Sequence, residues 1–126
     1  MKIRVKWPMV IAMGLVLSAC QSAPIPPKNN PQLAQIRTQI AISLLGTGQL
    51  DQAKQQLDAA LSADPQFAPA YRTLAKVYQA SEDATHQTKA QRLFEKAIEL
   101  NPKDMQSYMD YGLYLVQMGD LSGALT

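Results

Sequence analysis

The sequence predicts an all-α fold, a solenoid of stacked helix-turn-helix pairs. From Pro31 onward apolar residues recur at helical spacing, and the alternation typical of a β-strand is absent. The pattern Gly-x-Leu-x-x-Ala begins at Gly48 and again at Gly119. Pro65 and Pro102 each follow a helical run and lie 37 residues apart, and a proline ends a helix at the residue before it. Repetition at roughly 20 to 50 residues is typical of solenoids.

Residues 1–19 have the organisation of a secretory signal peptide. Lys2, Arg4 and Lys6 come first without any acidic residue, and the ten residues 7–16 are almost wholly apolar. A basic start, a short apolar stretch and small residues together indicate an export signal that is removed from the mature chain. Because a helix that spans a bilayer needs about 20 apolar residues, we expect cleavage rather than retention.

Cys20, the single cysteine, ends the run Leu17-Ser18-Ala19-Cys20, which resembles the bacterial lipobox. The resemblance implies acylation of the Cys20 thiol, cleavage before it and acylation of the new N-terminus. More than one acyl chain is needed for stable anchoring. Gln21 stands where an aspartate would signal retention at the inner membrane, which implies the periplasmic face of the outer membrane of a Gram-negative bacterium. The alternative is an ordinary secretory signal with an incidental cysteine.

Residues 20–31 predict a tether between the lipid and the folded part. Four prolines occur in this stretch, at Pro24, Pro26, Pro27 and Pro31. Proline-rich chain is extended, and at about 3.1 Å per residue the tether could place the fold roughly 30 Å from the lipid surface.

Residues 32–126 resemble the tetratricopeptide repeat position by position. The resemblance implies units at 34–67, 68–104 and 105–126, the last one truncated, which makes about two and a half repeats. Residues at the family's packing positions include Ala41, Leu44, Ala53, Leu57 and Ala60 in the first unit, Tyr71, Ala75, Tyr78, Ala90, Phe94 and Ala97 in the second, and Tyr108, Tyr111, Gly112 and Leu115 in the third. The second unit carries a three-residue insertion, which we place in 81–88 between its helices.

Charge and motif content argue against nucleic-acid binding and catalysis. Without the export signal, nine basic residues accompany ten acidic ones, whereas binding to nucleic acid needs clustered Lys and Arg. His86, the only histidine, lies near Glu82 and Asp83 in the polar insertion, and we expect a solvated loop there rather than a metal site. We predict a non-enzymatic protein with no catalytic residue, no metal, no small-molecule substrate and no cofactor beyond the lipid on Cys20.

A partner-binding groove is implied by the repeat resemblance, because this family binds ligands with one face of the first helix of each unit. The corresponding residues are Gln35, Thr38, Ile42 and Leu45 in the first unit, Arg72, Lys76 and Gln79 in the second, and Gln106, Met109, Leu113 and Val116 in the third. The groove is expected to be apolar with a basic middle. Because Thr38, Ile42 and Asp110 stand where a carboxylate clamp needs Lys, Asn or Arg, we do not expect a chaperone-type clamp.

Apolar anchors along a groove suit an amphipathic helix or an extended apolar segment of a partner. The alternative is that the apolar groove residues pack against later repeats of the same superhelix.

The lipobox, the tether and the early start of the repeats together resemble the type IV pilus pilotins, outer-membrane lipoproteins that help the pilus secretin to insert and multimerise. The run from Asp110 to Leu115 also resembles an Asn-Tyr-Gly-x-Phe-Leu segment of that family's third repeat. The resemblance covers roughly the first half of a family member and implies a secretin as protein partner. Two alternatives are a generic lipoprotein adaptor in outer-membrane protein or cell-wall assembly, and a regulatory module of an envelope enzyme.

Overall fold

The computed structural model describes residues 29–119. Five α-helices follow one another in this range: α1 (Pro31–Gly46), α2 (Leu50–Ala63), α3 (Ala68–Gln79), α4 (Ala84–Leu100) and α5 (Met105–Gln117). Helices α1 and α2 form one hairpin, α3 and α4 form a second, and α5 begins a third. The predicted all-α solenoid of about two and a half repeats is confirmed. Cys20, the predicted signal peptide and residues 120–126 lie outside the described part of the chain.

Local signals in the sequence set where the helices begin and turn. The side chains of Asn30, Asp83 and Asp104 accept hydrogen bonds from the first backbone N–H groups of α1, α4 and α5, which is the preferred role of these residue types before a helix. Gly48 and Gly119, which follow α1 and α5, both have a φ of +75°, a conformation that glycine adopts without steric cost. None of the helices within residues 29–119 combines the length and apolar content needed to cross a bilayer.

The insertion in the second repeat lengthens a helix instead of forming a loop. Helix α4 has 17 residues against 14 in α2, and with Ala90 aligned to Ala53 the extra residues form one added turn at its N-terminal end. The Asp83 carboxylate accepts a 2.8 Å hydrogen bond from the Thr85 backbone N–H, so the helix starts early. The expectation of a loop over 84–88 was therefore wrong.

His86 accordingly lies on α4 and not in a solvated loop. Its Nδ1 is 2.7 Å from the Ser81 hydroxyl, and its ring meets the Tyr78 ring edge-on, with centroids 5.0 Å apart. The prediction that His86 lies in a solvated loop was therefore wrong. Among the described residues, no group of three or more His, Cys, Asp or Glu side chains could hold a metal ion.

The core consists of two clusters that differ in chemistry. The first joins α1, α2 and α3 through fully buried alanines together with Leu57, Leu74 and Val77. The second joins α3, α4 and α5 around the fully buried Phe94, with Tyr114 and Tyr111 against it. Small residues at the helix contacts let the backbones approach closely, and the large side chains then fill the space between successive hairpins.

Candidate protein-binding groove

The first helices of the three repeats lie side by side, with α3 in contact with both α1 and α5. The predicted partner-binding residues sit on these three helices and form a surface with two depressions. We call this surface the groove. The residues of the groove differ in how far their side chains are exposed to solvent.

One depression lies between the N-terminal halves of α1 and α3 and has a volume of about 270 Å³. Gln35, Thr38, Ile42 and Arg72 line it, as do three residues that sequence reasoning missed, namely Gln39, Phe67 and Pro69. Thr38 is buried, and its hydroxyl donates a 2.8 Å hydrogen bond to the Ala34 carbonyl. Thr38 therefore forms part of the wall and presents no free donor.

Of the residues that were missed, Pro69 could have been predicted from the sequence, whereas Phe67 could not. Pro69 occupies the same repeat position as Gln35 and Gln106, so the repeat alignment alone could have included it. Phe67 precedes α3, outside the helix positions from which the groove was predicted. No pattern in the sequence marks it.

The second depression lies at the C-terminal ends of the same helices and has a volume of about 290 Å³. Leu45, Lys76, Gln79 and Gln117 line it, and the Gln79 amide donates a hydrogen bond to the Gln117 side-chain oxygen. This depression therefore brings together residues from all three repeats.

Helix α5 supplies the apolar end of the groove. Met109, Leu113 and Val116 are exposed, and Leu113 retains 66% of its accessible surface. Gln106, at the start of the same face, donates a 2.9 Å hydrogen bond to Asp110. Three exposed apolar side chains on one helix face are the largest apolar feature of the groove.

The middle of the groove is not basic, and that expectation was wrong. Arg72 Nη1 lies 2.6 Å from Asp104 Oδ2, and Arg72 Nε lies 3.7 Å from Asp110 Oδ2. Lys76 Nζ is 3.8 Å from the same Asp110 oxygen. Two cations of α3 thus meet the carboxylate of Asp104, which caps α5, and the carboxylate of Asp110 within α5, and their charges cancel.

Asp104 is held in its ionised form. Burial by itself would raise the pKa of the Asp104 carboxyl, but the hydrogen bond from the Ser107 hydroxyl, the charge of Arg72 and the backbone N–H groups of Gln106 and Ser107 outweigh it. The net result is a pKa below the ordinary carboxyl value. The Ser107 hydroxyl donates this hydrogen bond at 2.7 Å.

The groove therefore offers aliphatic, thioether and amide surface around a neutral centre. An uncharged apolar segment can cover such a surface without leaving a buried charge unpaired, which would be costly. The arrangement suits binding of a protein segment and does not bring together the groups of an acid–base or nucleophilic mechanism within residues 29–119.

Comparison with known families agrees with this architecture. One family model described as a tetratricopeptide repeat matches residues 38–85, and another of the same description matches residues 93–126. No curated protein matches the chain significantly. Two complete helical hairpins, the first helix of a third and these two separate matches identify the chain as a protein built from tetratricopeptide repeats.

Proposed function

We propose that this protein is a non-enzymatic outer-membrane lipoprotein whose groove binds an apolar segment of an envelope protein. Tetratricopeptide repeats point to a protein-binding scaffold. The outer membrane as its location and an envelope protein as its client are what we propose in addition. The lipobox ending at Cys20 supports the anchor, and Gln21 supports the outer membrane.

The observation that carries the proposal is the groove itself. Ile42, Met109 and Leu113 expose apolar surface along it, and each Å² of such surface removed from water contributes about 25 cal/mol. The cations that could select an acidic ligand are neutralised within the protein by Asp104 and Asp110. Affinity must therefore come mainly from apolar contacts.

For the client we propose the secretin of a type IV pilus, which makes the protein a pilotin. The lipobox, the proline-rich tether and the run from Asp110 to Leu115 support this assignment by resemblance. Within that run Tyr114 and Leu115 are buried in the core and Leu113 is exposed in the groove. Leu113 is thus the member of the run that a client segment can touch.

Capture from detergent-solubilised envelopes with the full acylated protein tests the client. We expect mass spectrometry to identify the secretin among the captured proteins. Recovery of cell-wall or barrel-assembly proteins without a secretin would contradict the pilotin assignment and leave a lipoprotein adaptor for another client.

Charge substitutions test the groove in the same assay. Leu113→Glu should reduce capture by about tenfold or more, equivalent to about 1.4 kcal/mol, because it replaces an apolar contact with a carboxylate. Gln35→Glu is the matched control, since it adds the same charge at an exposed groove position without removing an apolar anchor. Equal losses in both variants would show that the groove is not the binding surface.

Substitution of Cys20 tests the anchor. Cys20→Ser should move the protein from the membrane fraction to the soluble fraction while its helical circular-dichroism spectrum stays unchanged, because the five helices described within residues 29–119 begin at Pro31, after Cys20 in the chain. Membrane association that survives Cys20→Ser would contradict acylation at this residue.

A further inference from the structure

Helix α1 exposes two isoleucines at positions that the next repeat buries. Ile36 and Ile40 keep 59% and 41% of their accessible surface, and their spacing of four residues places them on one face of the helix. The equivalent residues of α3, Ala70 and Leu74, are 0% and 6% exposed, because they pack in the core cluster that contains Leu57 of α2. We call the surface of Ile36 and Ile40 the edge face.

Charge is distributed unevenly between this end of the protein and the rest. From Cys20 to Leu50 the chain contains no Asp or Glu, and it carries Lys28 and Arg37. All ten acidic residues follow, with seven basic ones. Arg37 follows Ile36 directly in the sequence, and its Nη1 donates a 2.9 Å hydrogen bond to the Gln56 side chain of α2.

A second copy of the chain and another helix are poor occupants for this face. Stable protein interfaces bury about 1,200 to 2,000 Å², far more than two isoleucine side chains can supply. Three prolines among residues 20–28 disfavour a further packing helix between Cys20 and α1. A lipid surface needs no matching shape, and it favours apolar side chains flanked by cations.

We propose that the edge face rests on the lipid surface to which Cys20 is attached. This inference rests on the proposed acylation of Cys20. Only nine residues, 20–28, separate the anchor from Asn29, and at about 3.3 to 3.6 Å per residue they reach no further than about 30 Å. Of the helices described, α1 is therefore the nearest to the anchor along the chain.

The tether makes so small a contact effective. Two isoleucines bind a bilayer weakly, but an anchor that holds them near the surface turns the contact into an intramolecular event at high effective concentration. The contact is accordingly expected in the acylated protein and not in a chain that begins at Gln21. It would orient the solenoid with its N-terminal end at the lipid and the acidic part directed away.

A fluorescent label at position 40 tests the contact. In the acylated protein the Cys20 thiol is blocked, so Ile40→Cys provides one reactive thiol for a nitrobenzoxadiazole label. In vesicles of phosphatidylethanolamine and phosphatidylglycerol, we expect its emission to move to shorter wavelength and to be quenched by nitroxide-labelled lipid. Leu113→Cys is the matched control, because it labels an exposed apolar position of a first helix on the groove, and its emission should not shift.

Different results would contradict the membrane contact of the edge face and the lipid anchor at Cys20. Protein that floats with vesicles but shows no shift at position 40, or equal shifts at 40 and 113, overturns the membrane contact alone. Protein that does not float and labels at Cys20 overturns the anchor and with it the contact. A shift at position 40 in the chain beginning at Gln21 without vesicles would show that another part of the chain or a second copy covers the face, which also overturns the proposal.

A second variant guards against local distortion at the labelled position. The protein that carries Ile36→Asp together with the label at Ile40→Cys should still float with vesicles. The emission of its label should no longer shift, because the introduced carboxylate opposes insertion of the edge face into lipid. A shift that survives Ile36→Asp contradicts a role for the edge face.

Discussion

The two junctions between successive repeats are built from different chemistry. The first, where α3 packs on α1 and α2, is aliphatic, with Leu57, Leu74 and Val77 among small alanines. The second, where α5 packs on α3 and α4, places the Phe94 ring 5.7 Å from that of Tyr111 and adds the ion pair of Arg72 with Asp104.

This difference separates two ways of holding a solenoid together. Aliphatic packing is nondirectional and independent of pH, whereas aromatic rings and charge-assisted hydrogen bonds have preferred geometries. The first junction therefore supplies stability under a wide range of conditions. The second also fixes the relative placement of α3 and α5, two of the three helices that form the groove, and its strength depends on ionisation.

Removing the central ring of the second junction should have the largest effect. Phe94 is fully buried against Tyr111 and Tyr114, and Phe94→Ala should cost about 3 to 5 kcal/mol in free energy of unfolding. Leu57→Ala, its counterpart in the first junction, should cost about 2 to 5 kcal/mol but less than Phe94→Ala, because no ring contacts are lost. Urea unfolding of both variants measures the difference, and a larger loss for Leu57→Ala would contradict it.

Removing the cation of the second junction should have an intermediate effect. Arg72→Met leaves the Asp104 and Asp110 carboxylates without their closest cation and should cost about 1 to 3 kcal/mol. Lys54→Met is the matched control in the first repeat, since Lys54 pairs with Asp58 in an exposed bridge worth about 0.3 to 0.5 kcal/mol. Similar losses of unfolding free energy in the two variants would mean that the network across the junction adds nothing.

Alkaline pH should weaken the second junction through Tyr111. Burial, and then the hydrogen bond to Glu95, raise the pKa of Tyr111 from 10.0 to about 12. As pH rises from 10.0 toward about 12, the unfolded chain loses this proton first, so the folded state loses stability over that range. Tyr111→Phe should therefore reduce the loss of unfolding free energy over this pH range. At neutral pH it should lower the free energy of unfolding by less than Arg72→Met does. An unchanged alkaline slope in Tyr111→Phe would assign the effect to another group.

The helical hairpins could be predicted because their signals are local. Pro65 and Pro102 mark the helix ends, and the alanines at Ala41, Ala53 and Ala90 recur at fixed spacing with the large packing residues. Each of these residues acts on its own helix or on the adjacent one, so the sequence pattern and the structure agree.

The charge state of the groove could not be predicted, because it depends on contacts between repeats. Arg72 and Asp104 are 32 residues apart, and nothing in the local sequence shows that they meet. The start of α4 was missed for a different reason. The polar residues 81–88 have the composition of a loop, but the carboxylate of Asp83 accepts hydrogen bonds from the backbone N–H and the hydroxyl of Thr85 and caps a helix that begins at Ala84.

The extra turn of α4 also has a practical consequence for protein engineering. Because the added residues extend the helix at its N-terminal end, Ala90, Phe94 and Ala97 keep the same facing as Ala53, Leu57 and Ala60 of α2. The chain thus already tolerates added length at this point without rotating any core residue out of place. An epitope tag inserted at the exposed Glu82, which keeps the Asp83 cap next to α4, is accordingly expected to leave these core residues in place.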